Sequence, residues 1–333
     1  MEADFYFIII IMSIHILGSN GVKRGAGPFG TVKSAKAAAD LTLPRDLGDA
    51  RKVIDFGPHA DITRLVAQQY ADAGVEVLTT DTFGIRRALL DEPLFREILA
   101  AHLQITADVA NSVSGVDAIF VSIGPPSVHI GTEVEIDCYD TDDLPDGDLG
   151  VSQYVTQLEA LASLEGLPSK SGSSRFVAML ETVTTRRKLL SALRALKEVP
   201  FEANVNLTLT PDGRFLDGDD PVDAIFEAES FLNGTKDRVI YGANCCDHEA
   251  ADTFFEAIDG QSFAERVRAI ALNGANGDPR DFDGCAETGK VHFDPQRPAQ
   301  IRRLVKRHPS IALVLSCCGF NPERVEALSW ALS

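Results

Sequence analysis

Residues 239–246 read Val-Ile-Tyr-Gly-Ala-Asn-Cys-Cys, and residues 311–319 read Ile-Ala-Leu-Val-Leu-Ser-Cys-Cys-Gly. In each, a short apolar run that suits a buried strand stops at a pair of cysteines. The pattern of an apolar run closed by polar residues recurs along the chain. Val75–Thr80 leads into Asp81-Thr82, Asp117–Ile123 into Gly124-Pro125-Pro126, and Phe176–Leu180 into Glu181-Thr182. Ala203–Leu209 and Val267–Leu272 add two more runs, the second ending at Asn273. With a first strand expected within Ile14–Leu17, a sixth over Arg238–Gly242 and an eighth over Ile311–Leu315, the count reaches eight.

Helical periodicity fills most of the intervals. Ile62, Leu65, Val66, Tyr70 and Ala73 fall on one helical face, with Asp61 near the start and Gly74 just past the end. Further helical patterns cover Thr185–Leu196, Val222–Leu232, Ala250–Ile258, Pro298–Lys306 and Pro322–Leu332. Eight strands alternating with helices predict an α/β fold, a (β/α)8 TIM barrel forming one domain over residues 1–333. The competing architecture is an open doubly wound sheet, but no glycine-rich dinucleotide fingerprint follows an early strand. In a parallel barrel, chemistry gathers at the carboxyl ends of the strands, where the polar clusters fall here. The acidic stretch Glu133–Asp148 and the Ser/Gly-rich stretch Gly166–Ser174 read as a loop and a connection.

Composition narrows the partners. A formal charge of −18 argues against nucleic acid and against an anionic membrane surface, both of which need clustered Lys and Arg. The apolar segment Phe5–Ile11 is too short to span a bilayer, and Glu2 and Asp4 beside it do not resemble a secretory signal, so it reads as a buried strand. Six cysteines are too few for a disulfide scaffold in 333 residues, which points to reduced thiols and a cytoplasmic protein. The oligomeric state is left open.

Cys245, Cys317 and Cys318 lack any local zinc-finger spacing, so only the fold can unite them. The sixth and eighth strands are alternates around a barrel, and alternate strands point into the same layer. Cys318 joins its neighbour if the chain turns at Gly319, because successive residues of a regular strand face opposite ways. Three thiolates make a soft site suited to Zn2+, with a fourth position left for substrate. Such an anionic unit is a weak Lewis acid toward water but suits a substrate thiol, whose free pKa of about 8.5 leaves little thiolate at neutral pH. The competing readings are a disulfide or inert packing. Cys138, Cys246 and Cys285 read as packing residues.

These residues resemble the zinc-dependent homocysteine S-methyltransferases over roughly His59–Ala331. Tyr70-Ala71-Asp72-Ala73-Gly74 with Thr79-Thr80-Asp81-Thr82-Phe83 is similar to the family's Y-x-x-A-G and T-N-T-F block. Ser122-Ile123-Gly124-Pro125 is similar to S-x-G-P, Glu181-Thr182 to E-T, Gly242–Cys245 to G-x-N-C, and Cys317–Gly319 to the end of G-G-C-C-G. The resemblance implies zinc on Cys245, Cys317 and Cys318, and Glu181 on the amino group of homocysteine. It also implies that Asn244, Thr82 and Asp81 border the amino-acid pocket. The residues alone allow Glu181 to be a strand-end surface carboxylate, and Asn244 and Thr82 to be loop caps.

The chain departs from the pattern in its N-terminal segment 1–58. Where the family has an Asp-Gly-Gly element, Leu17-Gly18-Ser19-Asn20-Gly21 has no aspartate. Asp81 stands for the usual Asn, and Leu315-Ser316 for two glycines. The expected reaction is methyl transfer from an onium or other methyl donor to homocysteine, giving methionine. The alternatives are a different thiol acceptor, or a zinc-binding barrel without turnover.

Overall fold

The computed structural model describes residues 23–24, 56–83, 92–125, 148–164, 175–199, 201–279 and 293–332. Its strands are β1 (Lys23–Arg24), β2 (Val77–Thr79), β3 (Ala118–Ile123), β4 (Arg175–Val183), β5 (Ala203–Leu207), β6 (Val239–Asn244), β7 (Val267–Leu272) and β8 (Leu313–Ser316). They form one parallel sheet in the order β1-β8-β7-β6-β5-β4-β3-β2. The helices are α1 (Phe56–Asp72), α2 (Glu92–Ser112), α3 (Asp148–Leu164), α4 (Arg186–Glu198), α5 (Pro221–Phe231), α6 (His248–Ala257), α7 (Arg297–Arg307) and α8 (Pro322–Leu332). The arrangement is the predicted (β/α)8 barrel, nearly closed.

Alternation along each strand separates two cores. Ile119, Val121, Leu180, Val205, Leu207, Ala243, Ile270 and Val314 face outward, where they pack beneath the helices. Phe120, Met179, Ala269, Ala271, Leu313 and Leu315 form a smaller apolar cluster of their own. Helix α4 shows the local logic. Thr185 caps its N-terminus by accepting from the Lys188 N–H, and Leu189, Ala192, Leu193 and Leu196 are buried at three- and four-residue spacing. Each such leucine contributes about 1.5–3 kcal/mol by leaving water.

The ring closes at β1 by an unusual device. Lys23 and Arg24 are charged, whereas strands of parallel sheets are normally apolar. One edge of β1 pairs with β8. On the other edge, the Glu76 N–H donates to the Arg24 carbonyl (2.8 Å), and Glu76 Oε2 accepts from the Arg24 N–H (2.9 Å) and from Arg24 Nε (3.0 Å). Lys23 Nζ donates to Asp117 Oδ2 at 2.8 Å, which with nearby Glu76 holds the Lys23 ammonium above its ordinary pKa despite partial burial. A carboxylate side chain thus stands in for part of a ladder between β1 and β2.

Several boundaries differ from the sequence reading. The expected first strand at Ile14–Leu17 and the segment Phe5–Ile11 lie outside the described residues, and β1 is found at Lys23–Arg24. β4 runs on through Glu181 and Thr182 with a register shift between Leu180 and Val183, so Glu181 is in the strand rather than after it. β6 extends two residues further than expected, β5 stops at Leu207, and β8 starts later, at Leu313. Helices α2 and α3 were not foreseen, and Asp148, expected in a loop, opens α3. The rest of that loop and Gly166–Ser174 lie outside the described residues. No described helix is long and apolar enough to cross a membrane.

The seam makes a direct prediction. Replacing Glu76 with Ala strips both Arg24 groups of their acceptor and should lower unfolding free energy by about 1–3 kcal/mol, read by urea titration. An unchanged midpoint would mean that the seam contributes nothing.

Candidate metal centre

β6 and β8 flank β7, and both end at the same mouth of the barrel. The sulfurs of Cys245, Cys317 and Cys318 lie within 4.8 Å of one another. Cys317 Sγ is 3.1 Å from Cys245 Sγ, and Cys318 Sγ is 3.9 Å from Cys245 Sγ. Zinc–sulfur bonds of about 2.3 Å set tetrahedral sulfur–sulfur separations of roughly 3.8 Å, so the cluster fits one soft ion with little movement. Cys245 and Cys317 are buried and Cys318 is half-buried, which leaves one side of the group open.

Backbone turns bring the three together. Cys245 has a left-handed φ of 53°, rare for a residue with a side chain. Its N–H still pairs with the Ala271 carbonyl at 3.0 Å, so β7 holds the turn. Next to it Cys246 faces away, fully buried in the outer core, where burial pushes its thiol up to about 12. β8 ends at Ser316, and the chain then turns at Gly319, whose φ is 86°. Gly274, beyond β7, donates its N–H to the Cys318 carbonyl at 2.7 Å. A Cβ on Gly274 would lie 3.3 Å from that carbonyl oxygen, 3.2 Å from the Gly319 carbonyl carbon and 2.8 Å from the Phe293 ring. Arg324, from α8, donates to the Gly319 carbonyl and stacks on Phe293.

The thiols share protons unequally. Cys318 is held well below the ordinary thiol range by its interactions with Cys245 and then Cys317, against the effect of burial. Cys245 is pushed up, first by its bonds to Cys317 and Cys318, then by burial. Thiols bind a metal as thiolates, so an ion held by all three would displace their protons.

Glu181 lies within electrostatic reach of this cluster. Burial pushes its carboxyl up to about 7; the hydrogen bond from Ser122 opposes this, and the Cys318 charge adds to it. Among the described residues Ser122 is its one hydrogen-bond partner, through Oε1. Thr182, the next residue, also has a left-handed φ, 59°. Asn244 Oδ1 accepts from the Thr182 N–H (3.2 Å) and from Thr208 Oγ1 (3.1 Å), tying β4, β5 and β6 together at the level of the thiols. The Thr82 hydroxyl donates to the Ser122 carbonyl at 2.6 Å and is buried. Asp81 sits beside it at the end of β2, partly exposed.

The structure thus gathers the three cysteines, with Glu181 within electrostatic reach, and gives the Asn244 and Thr82 side chains bonds to protein atoms. Cys138 and Cys285 lie outside the described residues. Sequence reading missed Ser122, Thr208, Gly274 and Arg324 as parts of the site. Asn273-Gly274 carries a turn signal after an apolar run that could have flagged Gly274. Ser122 stands in the S-x-G-P motif, but its bond to Glu181 crosses elements; Arg324 also acts across elements and leaves no local mark.

Gly274→Ala should displace Cys318 and weaken metal retention roughly 10–100-fold in a chelator competition, the range typical of disturbing a ligand's support. Cys246→Ala should keep full metal stoichiometry while lowering stability. Equal metal affinity in the Gly274 variant and the parent would show that the close approach is not needed.

Comparisons with known proteins bear on the family and the fold. The profile of the family described as Homocysteine S-methyltransferase matches residues 30–332, beginning upstream of the motifs noted above. No curated protein sequence matches the chain. Among solved structures, the metallated form of the homocysteine methyltransferase MmuM from Escherichia coli superimposes with a TM-score of 0.69 at 16% identity, covering 95% of this chain and 98% of that one. The oxidized form of the same enzyme gives 0.66 at 16% identity, covering 94% and 97%. The apo form gives 0.65 at 15% identity, covering 95% and 97%. At such identity the structures speak for the fold alone, and the family rests on the profile over most of the chain: this protein is a methyltransferase enzyme belonging to the homocysteine S-methyltransferase family.

Proposed function

We propose that the enzyme transfers a methyl group from an onium donor to the thiol of homocysteine, giving methionine, with Cys245, Cys317 and Cys318 holding a zinc ion. The observation that carries this reading is the convergence of three sulfurs at the barrel mouth, within electrostatic reach of a desolvated carboxylate. Three thiolates suit a soft ion, and zinc so held supplies the acidity that makes a substrate thiol a thiolate at neutral pH.

The chain's own residues account for the rest. Glu181 takes the substrate ammonium, which stabilises the carboxylate that burial otherwise disfavours. Asn244 keeps the strand ends carrying Glu181 and Cys245 in register, through the Thr182 N–H. Asp81 and Thr82 border the pocket on the β2 side, Thr82 through the backbone it holds. The homocysteine sulfur attacks the donor methyl group; a carbon–sulfur bond forms as the donor's onium–carbon bond breaks, and the donor leaves neutral. Transfer of this kind needs alignment of the two substrates and no protein nucleophile.

Purified protein should carry one zinc per chain and form methionine from homocysteine with at least one member of a panel of sulfonium and ammonium methyl donors. Cys245→Ala and Cys317→Ala should each lose zinc and activity together. Chelation should abolish turnover, and added zinc should restore it. Full turnover by metal-free protein would overturn the proposal.

A further inference from the structure

Ser122 lies on β3, beside β4, and its Oγ donates to Glu181 Oε1. In the ionised form that would pair with an ammonium, the carboxylate only accepts hydrogen bonds, so Ser122 is the donor. Behind Ser122 every proton can be assigned. Thr82 Oγ1 donates to the Ser122 carbonyl at 2.6 Å. Its oxygen must then accept from Thr80 Oγ1, 2.6 Å away. Thr80 Oγ1 in turn accepts from the Ser122 N–H at 3.1 Å. Thr80, Thr82 and Ser122 are 3%, 2% and 4% exposed, so water does not compete for these bonds. The relay locks the backbone of Ser122 to the end of β2, and its hydroxyl passes that rigidity to Glu181.

Among the described residues this bond engages Oε1 and none is made by Oε2. A carboxylate with one oxygen pinned by a buried hydroxyl has a set direction as well as a charge. That is the requirement for choosing between thiols that carry an amino group and thiols that do not.

Building on the reading of Glu181 above, we propose that Ser122, backed by Thr80 and Thr82, is a positioning residue that aims the Glu181 carboxylate at the substrate ammonium. It thereby sets the selectivity of the site for amino-acid thiols.

The test is calorimetric binding of homocysteine and of 4-mercaptobutanoate, the same chain without its amino group, to the zinc-loaded protein. Ser122→Ala should weaken homocysteine about 10–100-fold, the scale of losing a bond to a charged group, and leave 4-mercaptobutanoate within about twofold. Ser122→Thr, which keeps the hydroxyl, should bind homocysteine nearly as the parent does. Thr80→Val should show the Ser122→Ala pattern in weaker form. Zinc content should stay at one per chain in all variants, and in turnover KM for homocysteine should rise more than kcat falls. Unchanged homocysteine affinity in Ser122→Ala, or equal losses for both thiols, would overturn the proposal. Glu181→Gln separates the two layers. If it discriminates between the thiols while Ser122→Ala does not, only the role of Ser122 falls. If Glu181→Gln itself fails to discriminate, the ammonium reading of Glu181 falls and takes this one with it.

Discussion

Three sulfurs converge because two strand ends on either side of β7 bend toward a common point, and the rest of the site is arranged around that bend. Left-handed backbone at a residue with a side chain costs on the order of 1–3 kcal/mol, and it occurs at Cys245 and Thr182. Both positions are held from neighbouring strands, Cys245 by the Ala271 carbonyl and Thr182 by the Asn244 side chain. The barrel therefore supplies what a short loop could not, a frame stiff enough to keep unfavourable turns in place. Gly274 completes the frame by letting the Cys318 turn approach β7 closely.

The same convergence sets the electrostatics. Three thiols and one carboxyl share a desolvated mouth, and full ionisation of all four without cations is unfavourable. The shifts divide the burden: Cys318 is pushed down, Cys245 and Cys317 are pushed up, and Glu181 is pushed up to about 7. In the proposed reading a divalent ion answers the thiols and an ammonium answers the carboxyl, and an amino-acid thiol would bring its cation and its sulfur on one molecule. A tri-thiolate unit is poorly suited to activating water, and that separates this chemistry from hydrolysis.

Much of this was legible in the sequence, for physical reasons that also explain the gaps. The runs Asp117–Ile123 and Val267–Leu272 are mostly apolar because parallel strands are covered on both faces, and their bounds match the observed strands nearly to the residue. The vicinal cysteines could be placed because period two forbids both from facing one way inside a strand; the structure puts Cys317 and Cys318 past the strand end and turns Cys246 into the outer core. β1 could not be read. Two basic residues form a strand only because Glu76 and Asp117 meet them from distant positions. Helix α3 was hidden by its acidic, glycine-containing start, although Gly150, Tyr154, Leu158 and Leu161 mark a buried stripe. Ser122 stood in a motif, but its bond to Glu181 joins residues 59 positions apart.

The barrel interior shows where stability and function part company. Phe120, Met179, Leu313 and Leu315 make one part of it apolar. The part formed by β5 and β6 instead carries Asn204, Asn206 and Asn244, all fully buried. Both amide atoms of Asn204 and Asn206, and Nδ2 of Asn244, have no hydrogen-bond partner among the described residues. A buried amide atom costs about 1–3 kcal/mol if nothing pairs with it, whereas a leucine there would contribute. A barrel selected for stability alone would fill that wall with aliphatic side chains. The outer layer beneath the helices is apolar almost throughout, so it carries the folding free energy and leaves the inner wall of β5 and β6 free to stay polar. Those two strands lead directly to Thr208, Asn244 and Cys245, and the polar wall continues the site's own chemistry down into the barrel.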